Sequence, residues 1–370
     1  MRSAALRRWA WVHRWSSIVS TLFLLVLCIS GLPLLFGDEL HGWLDPPVAY
    51  AKAAPGSSRA SLDTLVRATR LRRPGEIIVT VFVDPAEPQV KVFTAVSPAA
   101  ADAGELHWLR FDAYSARLLG DSEARGIAST AFDRFIYALH AQLLLGGAGV
   151  VLVGIIGILF VVALVSGAVL YAPFMRNLPF GTVRRDRSAR TRRLDTHNLF
   201  GIVTLAWTVV VGFTGGLNEL AGPLFAHWQQ AVVAPAVTRW HGAAGPEPGA
   251  KLDTVLTAAR HAVPNELVTG IDFPGATLGS PRHFMVWAHG NTPLTSRLVT
   301  PILVDAATAR VVAVLPMPWY LRTIEVSRPF HFGDYGGLPL KLLWVVFDLA
   351  TIVVLVTGIQ LLVRPATVSR

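Results

Sequence analysis

The chain has 370 residues, of which 52% are hydrophobic and only 15% charged, and its mean hydropathy is +0.48, a balance that excludes an ordinary soluble protein and describes a membrane protein. A single cysteine, Cys28, excludes an intramolecular disulfide or a thiolate metal cluster. The net charge of +9 suggests nucleic acid only if it forms a basic face, and its distribution along the chain argues against one.

In chain order, apolar stretches long enough to cross a bilayer lie at 15–36, 143–171, 199–221 and 338–363, since about 20 apolar residues suffice. With the histidine turns that flank them, they predict a basic N-terminal segment at 1–14 and transmembrane helices at 15–36, 138–171, 197–221 and 331–363. A basic loop at 172–196 and a short tail at 364–370 complete the same side, and two larger segments lie at 37–137 and 222–330. Segments 1–14, 172–196 and 364–370 together hold 13 Lys and Arg against 2 acids, whereas 37–137 holds 11 against 13 and 222–330 holds 8 against 6. Short Arg-rich loops stay inside, so both termini and the loop with Arg184, Arg185, Arg187, Arg190, Arg192 and Arg193 are predicted cytoplasmic, and the two large segments outward. The first span resembles a signal sequence, but its full spanning length and the distance to Ala49-Tyr50-Ala51 favour an uncleaved anchor.

Each outward segment reads as a small α+β unit. The first has a helix at 61–69 and strands at 77–83, 89–95 and 106–112; the second has a helix at 252–261 and strands at 268–273, 283–289 and 302–305. Linkers are expected at 49–61 and 242–249.

The halves of the chain repeat one another. His13 precedes Ser30-Gly31 by 17 residues and His197 precedes Thr214-Gly215 by 17; His140 precedes Ser166-Gly167 by 26 and His331 precedes Thr357-Gly358 by 26. Leu62-Asp63-Thr64 matches Leu252-Asp253-Thr254, and the stretch from Asp112 to Arg117 matches that from Asp305 to Arg310. The pattern predicts two parallel repeats related by an axis along the membrane normal, forming a four-helix bundle. The Ser/Thr-Gly pairs read most simply as places where helices approach closely.

That symmetry puts His13 and His197 at the inner face and His140 and His331 at the outer face. Two facing imidazoles per face are what a bis-histidine haem needs, although a single histidine at a span end is ordinarily an interfacial residue. Zinc or copper fits less well, because no Cys or Glu partner repeats with the histidines. Trp207, Trp344 and Phe347 lie between the two levels, as bridging rings or as simple packing. Asp348 lies well inside the fourth span, where a carboxylate is costly; it handles a proton, hydrogen-bonds near a cofactor, or is satisfied by Ser/Thr across the bundle. His41, His107, His227, His241, His261, His283 and His289 fit no ligand spacing and read as scattered surface residues. No dinucleotide fingerprint is present, so a nicotinamide or flavin site belongs to another protein.

The stretches Trp11-Val12-His13-Arg14-Trp15, Leu139-His140-Ala141-Gln142, Asp195-Thr196-His197-Asn198-Leu199-Phe200-Gly201 and Phe330-His331-Phe332-Gly333-Asp334-Tyr335-Gly336-Gly337-Leu338-Pro339 resemble the PepSY-associated transmembrane family. The resemblance covers nearly the whole chain. It implies that each outward segment is a PepSY-like domain, with Ala where the family's Asp-Pro-x-Thr-Gly turn has Pro and Gly. It also implies a bacterial inner-membrane ferric-siderophore reductase with two haem b groups, one on His13 and His197 and one on His140 and His331. Electrons would come from a quinol or a cytoplasmic reductase and reach a periplasmic ferric chelate; membrane lipid is the other partner, and nucleic acid is not one. Against this stand a non-enzymatic scaffold or regulator whose PepSY-like domains bind or inhibit a periplasmic partner such as a protease, and a transporter, which a single intramembrane acid supports poorly.

Overall fold

The computed structural model of the protein describes all residues except 1–2, 38, 41–48, 53–55, 103, 123–128, 177, 239–248, 276–279, 293–294 and 364–370. His41, His241, most of the linker expected at 242–249 and the expected tail at 364–370 lie outside the described residues. The elements run α1 (Ser3–Leu35), α2 (Leu62–Arg72), β1 (Ile77–Phe82), β2 (Gln89–Ala95), α3 (Pro98–Asp102), β3 (His107–Asp112), β4 (Leu118–Asp121), α4 (Ser129–Gln142), α5 (Gly147–Met175) and α6 (Ala189–Glu219). There follow α7 (Ala221–Trp228), a π-helical turn (Gln229–Val233), α8 (Ala234–Val237), α9 (Leu252–Ala262), β5 (Glu266–Asp272), β6 (His283–Gly290), β7 (Val299–Asp305), β8 (Val311–Val314), α10 (Trp319–Phe332), a 3-10 turn (Asp334–Gly336) and α11 (Gly337–Val363).

The chain divides into a helical unit, residues 1–43, 129–221 and 327–370, and a sheet unit, residues 44–128 and 222–326. Among the described residues of the helical unit, four helices are long and apolar enough to cross a membrane, Ala4–Leu35, Gly147–Met175, Ala189–Glu219 and Asp334–Val363. The protein is a membrane α-helical protein with an antiparallel sheet region. α1 packs on α5 and α11, and α6 packs on the same two helices, so the spans close into a ring; α4 lies against α1 and α5.

Apart from the carboxylates of Asp195 and Asp348, the buried polar side chains on the spans, among the described residues, are small hydroxyls. Ser20, Thr204, Thr208 and Thr351 each donate to the carbonyl four residues earlier, which satisfies the hydroxyl without a partner helix and lets backbones approach.

Two of the spans differ from the sequence expectation. The runs at 138–171 and 331–363 are not single helices: α4 ends at Gln142 and α10 at Phe332. Leu143, Leu144 and Gly146 have φ of +48°, +60° and +57° in the first break, and Gly333 and Gly337 have +68° and +60° in the second. Hydropathy is continuous through Leu143-Leu144-Leu145, so a reversal of the backbone there leaves no mark on it.

The sheet unit is one eight-stranded antiparallel sheet in the order β4-β3-β2-β1-β5-β6-β7-β8. Its two four-stranded halves meet where Thr80, Val81 and Phe82 pair with Asp272, Ile271 and Gly270, and this joint covers two strand edges that would otherwise offer unpaired backbone groups. Asp272 is nearly buried there and accepts from Thr80 Oγ1 at 2.6 Å and Trp287 Nε1 at 2.8 Å; burial pushes its carboxyl up, against both hydrogen bonds. α2 and α9 bury Leu62, Leu65, Val255 and Ala259 against Val81, Val92, Leu109, Ile271, Phe284, Ile302 and Val304 in a single core. The helices also cap each other: Asp253 Oδ1 accepts from Leu62 N at 3.0 Å, and Asp63 Oδ1 accepts from Leu252 N at 2.8 Å. Each carboxylate thus supplies the acceptor that the other helix's N-terminus lacks.

β4 and β8, four residues each, are too short to show alternation. The hairpins before them carry the Asp112 and Asp305 turns. Burial raises Asp112, but the amides of Ala51, Ser115 and Tyr114 outweigh it and hold its pKa at about 2. Each turn closes on an alanine in the left-handed region, Ala116 at φ +58° and Ala309 at φ +55°, where a Cβ meets the following carbonyl. Ala116→Gly and Ala309→Gly are each expected to stabilise the sheet unit by about 0.5–1 kcal/mol, relief of strain exceeding the entropy of glycine. Thermal unfolding of the full-length solubilised protein measures this, and a lowered midpoint would show that the turns carry no strain.

Candidate functional site: two imidazole pairs in the helical bundle

The four histidines occupy equivalent seats. His13 on α1 places Nδ1 3.0 Å from the Ala163 carbonyl and 3.2 Å from Ser166 Oγ on α5. His140 on α4 reaches the Leu27 carbonyl at 3.0 Å and Ser30 Oγ at 3.1 Å on α1. His197 on α6 reaches the Val354 carbonyl at 3.0 Å and Thr357 Oγ1 at 3.3 Å on α11. His331 on α10 reaches the Val211 carbonyl at 2.9 Å and Thr214 Oγ1 at 3.5 Å on α6.

This pattern fixes the tautomer. A carbonyl oxygen only accepts, so each Nδ1 must carry the proton. The hydroxyls are committed too, because Ser166, Ser30, Thr357 and Thr214 each donate to the carbonyl four residues earlier at 2.7 Å. In the neutral ring Nε2 then holds the lone pair, and among the described residues it has no hydrogen-bond partner at any of the four.

The glycine after each hydroxyl lets the ring lie on the backbone. A methyl group at Gly215 would stand 2.9 Å from His331 Cε1, at Gly31 3.1 Å from His140 Cε1, at Gly167 3.1 Å from His13 Cε1, and at Gly358 3.4 Å from His197 Cε1. The Ser/Thr-Gly pairs are therefore receptors for histidine as well as points of close helix approach. The sequence carried a signal for this, since all four histidines and all four pairs recur together, but not which pair receives which ring.

Held this way, the rings meet in twos. His13 and His197 have ring centroids 6.4 Å apart with planes at 70°, and His140 and His331 are 6.2 Å apart at 56°. His140 rests on the Ser30 end of α1 and His13 lies 17 residues earlier on that helix, so the pairs are about 25 Å apart along α1. His13 and His197 open onto a cavity of about 590 Å³ among α1, α5, α6 and α11, whose lining includes Arg14, Ser20, Phe160, Tyr171, Arg190 and Asn198.

Between the levels Trp207 stacks on Phe347 at 6.1 Å and meets Trp344 edge-on at 6.5 Å. Asp348 is 7% exposed, Cys28 of α1 faces its carboxyl, and its Oδ2 has no hydrogen-bond partner among the described residues. The remaining histidines do not converge: among the described residues no three His, Cys, Asp or Glu side chains come together in a metal-binding group. His107 lies 2.9 Å from Glu76. His283 departs from the expected surface placement, being fully buried in β6 with Nδ1 beside Ser280 Oγ at 2.5 Å.

Gly215→Ala is expected to destabilise the bundle by about 1–3 kcal/mol through the clash with His331, and Gly358→Ala, at ordinary contact distance, by distinctly less. Thermal unfolding of the two variants in one detergent checks the order, and equal midpoints would show that the rings move aside freely.

The chain matches the family model for the PepSY-associated TM region over residues 10–364. Over 82 residues, 22% of the chain, it is 38% identical to an uncharacterized protein of Pseudomonas aeruginosa, PA4219, of which the match covers 20%. The chain thus spans about a fifth of the length of that relative. With the family model matched from one end of the bundle to the other, the chain belongs to the PepSY-associated transmembrane family.

Proposed function

We propose that the protein is a haem-containing oxidoreductase of the bacterial inner membrane, built from two parallel repeats with cytoplasmic termini and two periplasmic PepSY-like domains, that moves electrons outward to reduce a ferric siderophore or similar ferric chelate. The observation that carries this reading is the double pair of imidazoles with protonated Nδ1 and an open Nε2.

The residues fit the group. The paired rings stand 6.4 Å and 6.2 Å apart, each with an open Nε2, a spacing that leaves room for one metal ion between two nitrogen donors. A bare ion at either pair would have only two protein ligands among the described residues, whereas a porphyrin brings its own four nitrogens. Bound there, haem b would supply one-electron chemistry. His13 and His197 would hold one group and His140 and His331 the other, and the Nδ1–carbonyl bonds would keep each ring oriented and raise its basicity. Ferric iron is the substrate: reduction to Fe(II) weakens hard-oxygen chelation and frees it. The donor is a quinol or a cytoplasmic reductase.

The first test is the absorbance spectrum of the oxidised and dithionite-reduced purified protein with haem counted per chain. About two low-spin b-type haems are expected, His140→Ala or His331→Ala removing one and His13→Ala or His197→Ala the other. Protein free of haem from haem-replete cells would overturn the proposal and leave the scaffold or regulator.

Asp348 sits within the span, faced by the Cys28 thiol, where it would hold a proton or a hydrogen bond during electron transfer. Asp348→Asn is expected to change the pH dependence of the haem midpoint potentials; an unaltered dependence would make Asp348 a packing residue.

A further inference from the structure

We propose that Arg14 and Arg190 form an oxyanion seat at the mouth of the cavity beside His13 and His197, and that this seat takes the two carboxylates of the haem. The inference rests on the haem reading above and adds the residues that orient the group.

The cavity lining includes these two guanidiniums and neither Asp nor Glu. Its deeper wall is apolar or carries only small hydroxyls, Ser17, Ser20 and Thr21 on α1, with Phe160, Leu164 and Leu355 opposite. A site apolar along its length and cationic at one end fits an amphiphile whose anionic groups sit at that end.

Placement supports this. Arg14 directly follows His13. Arg190 precedes His197 by seven residues, two turns along α6, which puts both on one face about 10 Å apart. Arg190 is the second residue of α6, whose first turn has no acid, so its charge adds to the positive end of the helix dipole instead of opposing it. Its Nη1 donates to the Leu361 carbonyl at 3.1 Å, which ties the guanidinium to α11 at the cavity wall. A guanidinium presents a planar fork that matches a carboxylate.

Phosphate from an anionic lipid headgroup offers the same chemistry, and the experiment separates the sources. His140→Ala protein, which keeps only the His13 and His197 site, is depleted of haem and titrated with haem or with its dimethyl ester, which lacks the two charges. Haem is expected to bind roughly tenfold or more tightly than the ester. Adding Arg14→Gln and Arg190→Gln is expected to abolish that preference while the low-spin spectrum persists, and Arg14→Lys with Arg190→Lys to keep part of it. Equal affinity for haem and ester in the His140→Ala protein, or an undiminished preference in the double Gln variant, would overturn the seat. Loss of co-purified phospholipid phosphate from the double Gln variant, with the haem preference intact, would assign the guanidiniums to lipid. If the His140→Ala protein takes up neither ligand while unaltered protein contains haem, the seat fails; if unaltered protein contains none, the haem reading itself fails before any arginine is changed.

Discussion

The bond from histidine Nδ1 to a backbone carbonyl of a neighbouring helix is the constraint on which the bundle's arrangement depends. An α-helix interior ordinarily has no carbonyl to spare, but a carbonyl has two lone pairs and its helical N–H uses one. The Ser or Thr three residues on donates at 2.7 Å to the preceding carbonyl and only at 3.0–3.3 Å to the shared one, so the carbonyl and the hydroxyl oxygen form a two-acceptor seat, and a glycine next in the chain lets the ring lie close to the backbone. One bond therefore sets the tautomer, the ring direction and the closeness of two helices together.

The seats also divide the bundle in an informative way. His13 and His140 both rest on helices of the first half, α5 and α1, while His197 and His331 rest on α11 and α6 of the second. The clamps close each half on itself, whereas the ring pairs, 13 with 197 and 140 with 331, form across the halves. A ligand between paired rings would thus bridge two already ordered halves, so little ordering cost falls on binding it.

Much of this was legible in the sequence because repetition magnifies weak signals. One histidine near a span end says little; four at offsets of 184 and 191, together with their Ser/Thr-Gly pairs, say more. The recurring Leu-Asp-Thr was visible as well, but its role was not, since Asp63 caps α9 and Asp253 caps α2, and a contact between distant segments leaves no local pattern. The β1–β5 joint was hidden for the same reason. The break between α4 and α5 escaped because leucine at positive φ looks, to hydropathy, like leucine in a helix, and it is the break that places His140 on its own short helix.

The middle of the bundle is where the likeness of the halves ends, and that is informative about chemistry. By the same offsets Trp207 corresponds to Phe23, Trp344 to Val153, Phe347 to Ile156 and Asp348 to Gly157. If packing alone were needed between the two levels, aliphatic residues would serve both halves equally well, as they do at Val153 and Ile156. Instead one half carries two indoles, a phenyl ring and a buried acid at the level between the imidazole pairs. Burying an acid there costs free energy that a glycine avoids. The symmetric residues bring two imidazoles together at each end; the asymmetric ones lie between those ends, at the level that the proposed electron transfer would use.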